Sequence, residues 1–583
     1  MSEKIKASVA MLKVLQDWKV ENVYGLPGGS FNTTMRALES EKENINYIQV
    51  RHEEVGALAA AAEAKLTGKV GVVFGSAGPG ATHLFNGLYD AQQDHVPVLA
   101  LIGQVASGAM NMDSFQEMNE NPMFADVSVY NRTVMTPESL PRVIDQAIRT
   151  AYQYKGVAVV TIPNDYGWMD IDMDSYYASG HNYSSPILPE PDDSKIKDAL
   201  ALIKEAKQPV LFAGIGTKGA TDEVIAFSEH FKMPVIITAI NKGTVPDSFR
   251  ANLGSTYRVA TKPADEAIEA ADLVVFAGAD LPFAQTKKIL KPNMKFIQID
   301  IDASKIGKRH AVDVALLSDA KKTLARFVEL DGSPVESRPF FDATIEDMAN
   351  WREYLKKFED KTTTPLQPAA VFKEINKHAT GDDIFAIDVG NVTMNSLRYL
   401  DMNPKQKFTT SALFATMGYG MGAAIAAKSA YPDRQVFNLV GDGAFAMVVQ
   451  DLLTQVKYKQ HVINVVFSNQ HFGFIQDEQE DEGQPFYGID FNDADWAQVG
   501  NAMGAVGIPV STHDELVAAF EKAESIEGPV VIDVKITDER AIPVEDLAVN
   551  PKNFSAEEIA AYRKRYEAED LLVLDDLIEK YSK

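Results

Sequence analysis

Two polar residues separated by one strand-crossover interval carry the sharpest chemical signal in this sequence: Asp442, within Gly441-Asp442-Gly443, and Asn469, within Ser468-Asn469. Apolar runs at 436–440 and 462–467 lead into them. A strand, a crossover helix and the next parallel strand fit the interval, which brings both side chains to neighbouring strand carboxyl ends. A carboxylate and an amide oxygen are hard donors of the kind Mg²⁺ takes, with coordination positions left for phosphate oxygens, a backbone carbonyl and water. The pair reads as a diphosphate anchor; two unrelated polar turns are the alternative.

Other strand ends carry candidates of the same kind. Residues 45–50 read as a strand that runs into Arg51-His52-Glu53-Glu54 and then an alanine-rich helix. Glu53 therefore stands either at a ligand site or simply as a negative charge at a helix N-terminus, and Glu54 is expected to act only as such a charge. Residues 70–74 run into Gly75-Ser76-Ala77-Gly78-Pro79-Gly80-Ala81-Thr82-His83, where the glycines permit either a plain tight turn or the close approach of a ligand. In open parallel sheets ligands collect at strand carboxyl ends, where both turns lie.

In the middle of the chain, 209–213 precedes Gly214-Ile215-Gly216-Thr217-Lys218-Gly219, a dinucleotide-type turn between strand and helix. The acid that NAD binding needs after the next strand is missing, since 234–239 is followed by Ile240-Asn241-Lys242. Gly254-Ser255, Arg258, Gly278-Ala279-Asp280 and Asp300-Ile301-Asp302 supply further polar strand ends that one long nucleotide would share, although each alone is a routine turn.

The elements that must position these residues are legible in the alternation of short Val/Ile-rich runs with longer helical patterns, the mark of parallel sheets covered on both faces. Linkers at 184–194 and 361–368 divide the chain. The expected fold is α/β, with three doubly wound parallel-sheet domains at 1–183, 192–340 and 365–540, and a helical tail at 541–583.

Composition excludes several classes of function. With 46% hydrophobic and 24% charged residues the chain is globular. A net charge of −26 repels nucleic-acid backbones and anionic lipid. The absence of cysteine removes thiolate metal sites, iron–sulfur clusters and thiol nucleophiles. Lysines interrupt the first 19 residues, which read as an amphipathic helix rather than a secretory leader. Runs such as 96–102 fall far short of the ~18 residues of a membrane span. The expectation is a soluble cytoplasmic protein with neither nucleic-acid nor membrane partners.

Gly441-Asp442-Gly443 with Asn469, together with Glu53 at a first-domain strand end and the turn from Gly75 to Gly80, resembles the thiamine diphosphate enzymes. The middle segment resembles the FAD-binding domain found in part of that family. The strings Asn111-Met112-Asp113-Ser114-Phe115-Gln116 and Gly473-Phe474-Ile475-Gln476-Asp477-Glu478 narrow the likeness to bacterial phosphate-dependent pyruvate oxidases. The resemblance implies oxidative decarboxylation of pyruvate with phosphate and O₂ to acetyl phosphate, CO₂ and H₂O₂, through a hydroxyethyl adduct of thiamine diphosphate oxidised by FAD.

Residue by residue, the resemblance assigns Glu53 to cofactor activation and places Phe115, Gln116, Phe474, Ile475 and Glu478 around the reacting carbon. Met417 matches the large apolar residue that wedges the cofactor into a bent shape, and Gly78, His83, Gly390, Gly441 and Gly443 line the same cofactor. Asp442, Asn469 and the backbone carbonyl of His471 would hold Mg²⁺. Gly214, Gly216, Asn241, Arg258, Gly278 and Asp280 would take FAD, along with Phe283, Asp300, Asp302, Asp319 and Ala320. The family builds each site from two subunits, which implies at least a dimer and by resemblance a tetramer. Acetolactate synthase and pyruvate:quinone oxidoreductase are the neighbouring activities. The second calls for a basic or apolar membrane-docking tail, whereas 541–583 carries 6 Lys/Arg against 10 Asp/Glu.

Overall fold

The computed structural model describes residues 3–176, 178–282, 289–481, 485–538, 555–557 and 560. Its Val/Ile-rich runs form strands buried on both faces, as parallel sheets between helix layers require. In the first domain β1 (Asn22–Gly25), β2 (Asn46–Gln49), β3 (Gly71–Gly75), β4 (Val98–Gln104), β5 (Ser128–Thr133) and β6 (Val157–Pro163) pair in the order β2-β1-β3-β4-β6-β5. The middle sheet, made of β7 (Pro209–Ala213), β8 (Val235–Ile237), β9 (Leu273–Ala277), β10 (Lys295–Asp300) and β11 (Val314–Leu317), has the order β8-β7-β9-β10-β11. In the third domain β12 (Ile384–Ile387), β13 (Lys407–Thr409), β14 (Val436–Gly441), β15 (Ile463–Ser468), β16 (Val506–Val510) and β17 (Val530–Lys535) run β13-β12-β14-β15-β17-β16.

All pairings within these three sheets are parallel, so the expected fold class of three doubly wound α/β domains is present. The first and third sheets share one strand order, a kinship that no short sequence repeat announces. The N-terminal amphipathic pattern is a helix, Ala7–Asp17, that buries Met11, Leu12, Val14 and Leu15. The tail expected to be helical lies almost wholly outside the described residues. Among the described residues, no helix is long and apolar enough to cross a membrane.

Two small-residue helices join the first and third domains. Helix α1 (Glu53–Thr67) buries Ala57, Ala59, Ala60, Ala61, Ala62 and Ala64, and α2 (Phe85–Gln93) packs beside it. Against α1 lies α3 (Tyr419–Ala430), also rich in glycine and alanine. The helices approach so closely that a Cβ on Gly422 would stand 2.9 Å from the Leu58 Cβ. Side chains this small bring backbones together, which is the physical reason for the alanine run. Lys65, near the end of α1, is buried at this junction, with its Nζ 2.7 Å from both Asp90 Oδ2 and Asp94 Oδ2. Midway along α1 the buried Glu63 takes hydrogen bonds from Tyr24 Oη (2.5 Å) and Asn22 Nδ2 (3.2 Å), and burial pushes its carboxyl up to about 7.

Candidate active site

The third domain holds the anchor expected from the sequence. Strand β14 pairs with β15, opposing Gly441 to Phe467, so Asp442 and Asn469 emerge from adjacent strand ends. Asp442 opens helix α4 (Asp442–Val448). Its Oδ1 accepts from the Gly443 amide (2.9 Å) and its Oδ2 from the Gln470 amide (2.8 Å). Burial raises the carboxyl to about 6, an environment that a bound cation would reverse. Asn469 Oδ1 accepts from the His471 amide at 3.2 Å, and the His471 imidazole turns back onto the Asn469 carbonyl at 2.8 Å.

Asp538, just beyond β17, adds a carboxylate that the sequence reading missed. It takes hydrogen bonds from Asn469 Nδ2 (3.4 Å) and Gln476 Nε2 (3.2 Å). Its nearness follows from β17 pairing directly with β15.

These groups line a cavity of about 610 Å³ that also receives Gly390, Met417, Gly441, Gly443, Phe474, Ile475 and Glu478. The last three lie on α5 (Gly473–Asp481). The cavity suits a charged, phosphate-bearing guest. Gly390, at φ 137°, has no atom within 4 Å of where a Cβ would project, which leaves a bare cradle. Buried Asn391 Oδ1, Gln476 Oε1 and Thr537 Oγ1 in its wall lack protein partners.

Before Met417 the backbone is strained. Ala415 stands at φ 57°, a left-handed conformation costing a non-glycine residue about 1 kcal/mol.

The first domain gathers the other half of the expected residues. Glu53 opens α1 and is buried; its Oε2 lies 2.9 Å from His83 Nδ1, and the rings of His52 and His83 are 4.4 Å apart. Gly78, at φ 70°, would bring any Cβ to 3.2 Å from the Gln116 Cβ, so the turn and the Gln116 loop fit only around glycine. That loop is held from behind, where Gln104 Nε2 donates to the Met118 carbonyl (2.8 Å) and the Glu120 carboxylate (2.5 Å). Phe115 is 87% exposed on the single chain.

None of these first-domain residues lines the third-domain cavity. One chain therefore carries two half-sites, not one assembled site.

Glu54 departs from the expectation of a bare helix charge. Its Oε1 accepts from Asn86 Nδ2, which also donates to Thr416 Oγ1 at 2.8 Å, and Thr416 Oγ1 in turn donates to the Met417 carbonyl at 3.0 Å. Asn86 thus ties the start of α1 to the segment that carries Met417. Nearby, the buried Asp451 accepts the Arg51 amide at 2.8 Å. Sequence gave no sign of either bridge, because each joins residues hundreds of positions apart.

In the middle domain the expected residues cluster at strand carboxyl ends, around the point between β7 and β9 where the strand order reverses. Gly214 and Gly216 follow β7, and a Cβ on Gly278, at φ 52°, would lie 2.6 Å from the Gly216 Cα. Asp280 pairs with Arg309 (Nε–Oδ1 2.5 Å), while Asp302 and Asp319 cap helical turns. Asp300 closes β10, and Ala320 begins the helix capped by Asp319. Asn241 turns its amide inward to the Ala213 carbonyl (3.2 Å) and Thr217 Oγ1 (2.9 Å). Its Oδ1 and the Ser255 hydroxyl are buried without a protein partner, as a polar ligand site would leave them. Phe283 and the Arg258 side chain lie outside the described residues.

Comparison with known proteins agrees with this geometry. Three family descriptions of the thiamine pyrophosphate enzymes match: the N-terminal TPP binding domain at 5–123, the central domain at 196–327 and the C-terminal TPP binding domain at 388–534. Pyruvate oxidase of Lactiplantibacillus plantarum is 50% identical over 580 residues, 99% of this chain and 96% of the relative. A thiamine pyrophosphate-containing protein of Bacillus subtilis is 41% identical over 94% of this chain and 95% of its own length. The acetolactate synthase large subunit of Corynebacterium glutamicum is 30% identical over 91% of this chain and 87% of its own. By domain matches along all three sheets and by full-length identity, the chain belongs to the thiamine pyrophosphate enzymes.

Proposed function

We propose that this chain is a phosphate-dependent pyruvate oxidase, which converts pyruvate, phosphate and O₂ to acetyl phosphate, CO₂ and H₂O₂. The third-domain cavity carries the reading: hard oxygen donors, a bare glycine cradle and the Phe474, Ile475 and Glu478 face of α5 share one space. The 50% identity with the Lactiplantibacillus enzyme supports pyruvate as the substrate. When bound, thiamine diphosphate supplies an acidic thiazolium carbon and an electron sink, and FAD a two-electron acceptor.

The chain's own residues do the rest. Asp442 and the Asn469 amide oxygen, with the His471 carbonyl, hold Mg²⁺ and through it the diphosphate. Met417 props the bent cofactor. Glu53 holds a proton at its carboxyl and passes it to the pyrimidine ring nitrogen, which makes the amino group opposite a base. Phe115 and Phe474 keep water away from the reacting carbon, while Gln116, Ile475 and Glu478 orient pyruvate. Gly214, Gly216 and Gly278 admit the FAD pyrophosphate at the switch point between β7 and β9. The separation of the two half-sites supports a shared site in a dimer or larger homo-oligomer, with Phe115 covered by the partner.

The test supplies pyruvate with and without phosphate in air and follows acetyl phosphate, H₂O₂, acetolactate and flavin absorbance. Phosphate-dependent acetyl phosphate matched by H₂O₂ is expected. Acetolactate as the main product, with the flavin unbleached by pyruvate, would assign the activity named for the Corynebacterium relative instead. A fully active monomer by light scattering would remove the shared site.

A further inference from the structure

We infer that Asp388 is the positioning residue for Met417. The inference rests on the reading of Met417 as the support of the bent cofactor. Asp388 follows β12, is wholly buried, and binds backbone amides on the segment that carries Met417. Its Oδ1 accepts from the Gly418 amide at 2.9 Å and the Val389 amide at 2.8 Å, and its Oδ2 from the Gly420 amide at 2.8 Å. Gly418 adjoins Met417, and Gly420 lies in the first turn of α3. One carboxylate thus fixes the link between the strained residue Ala415, the cavity wall and the start of a rigid helix.

The surroundings leave that segment little choice. A Cβ on Gly420 would lie 2.4 Å from Asn438 Oδ1 and 3.0 Å from Asp388 Oδ2. Ala415 at φ 57° and Gly418 at φ 87° hold a conformation that relaxes unless anchored. Beyond Asp388 the segment is tied by Ser411 Oγ, which accepts the Thr416 amide at 3.0 Å, and by Asn86 on Thr416 Oγ1 at 2.8 Å. Of these anchors only Asp388 grips the Met417 side of the strain. It also takes the Val389 amide beside Gly390, so a single side chain sets the wedge and the diphosphate cradle relative to each other.

Asp388→Asn keeps the shape but sets an NH₂ against at least one of the amides. The experiment compares wild type, Asp388→Asn and Met417→Ala. Hydrogen exchange of peptides spanning 411–422 is read in the cofactor-free protein. In protein loaded with thiamine diphosphate and Mg²⁺, calorimetric affinity and deuterium exchange at the thiazolium carbon are read. For Asp388→Asn we expect at least tenfold faster amide exchange over 411–422, at least tenfold slower exchange at the thiazolium carbon, and affinity within about threefold of wild type. Asp388→Ala, expected to loosen the segment further, serves as the second variant.

Unchanged peptide protection in Asp388→Asn would overturn the proposal, as would a loosened segment with normal thiazolium exchange while Met417→Ala is slow. Normal exchange in Met417→Ala itself would overturn the underlying reading of Met417, and the proposal with it. None of these outcomes depends on oxidase turnover.

Discussion

Replacing Glu53 by Gln keeps the size of the side chain and one hydrogen-bond acceptor but removes the ionisable proton. Two magnitudes separate catalysis from folding. The ion pair lost is with a His83 side chain that is 42% exposed, so its contribution to stability belongs with surface pairs at about 0–1 kcal/mol. That predicts a midpoint of thermal unfolding within about 4 °C of wild type. A positioned proton carrier, by contrast, contributes about 10²- to 10⁴-fold, or about 3–5 kcal/mol of barrier. The assay loads each variant with thiamine diphosphate and Mg²⁺, confirms binding by calorimetry, and follows deuterium exchange at the thiazolium carbon by quenched NMR. Glu53→Gln is expected to bind within a few-fold of wild type, since Asp442 and Asn469 are untouched, and to exchange at least 100-fold more slowly, on the general acid–base scale. Glu54→Gln disturbs the bridge through Asn86 to Thr416, and should slow exchange by less than about tenfold, the value of one neutral hydrogen bond. Slow Glu54→Gln beside normal Glu53→Gln would put the activating carboxylate one residue later. Normal exchange in both would reduce Glu53 to a helix-terminal charge and refute the reasoning.

Glu63→Gln should show a pH-dependent stability gain. A folded value near 7 against an ordinary 4.5 means that the ionised form in the wild type costs up to about 3 kcal/mol above pH 7, with no cost below about pH 4.5. Thermal midpoints measured from pH 4.5 to 8 should therefore separate in the variant's favour as pH rises, and parallel curves would contradict the buried-acid account. Asp442→Ala is expected to lose Mg²⁺ and thiamine diphosphate by calorimetry while keeping flavin absorbance, because the two ligands would sit on different domains; loss of both would signal misfolding. Gly278→Ala should do the reverse, since its Cβ would meet the Gly216 backbone at 2.6 Å, and a variant with undiminished flavin bands would remove the nucleotide from that turn.

Much of this molecule is written locally in its sequence. Buried parallel strands must be continuous apolar runs, and their ends must turn, so β7, β9, β14 and β15 fall where the Val/Ile runs lie. Asp442 and Asn469 were legible for the same reason: a crossover of ordinary length brings one strand end beside the next. Glu53 was legible as a residue at a strand end but not as a buried partner of His83, because burial depends on what the fold brings against it. Asp538 escaped notice since strand order, not sequence order, sets β17 beside β15. Asp388 reads in the sequence as one more acid after a strand; its grip on Gly418 and Gly420 exists only once α3 is packed in place. Asn86 looks like any polar helix residue until Thr416 meets it across the domain junction. Periodicity and turn chemistry act over a few residues and survive in a string of letters. The environment of a polar side chain comes from chain segments brought together by burial of the core, and the tertiary structure alone decides it.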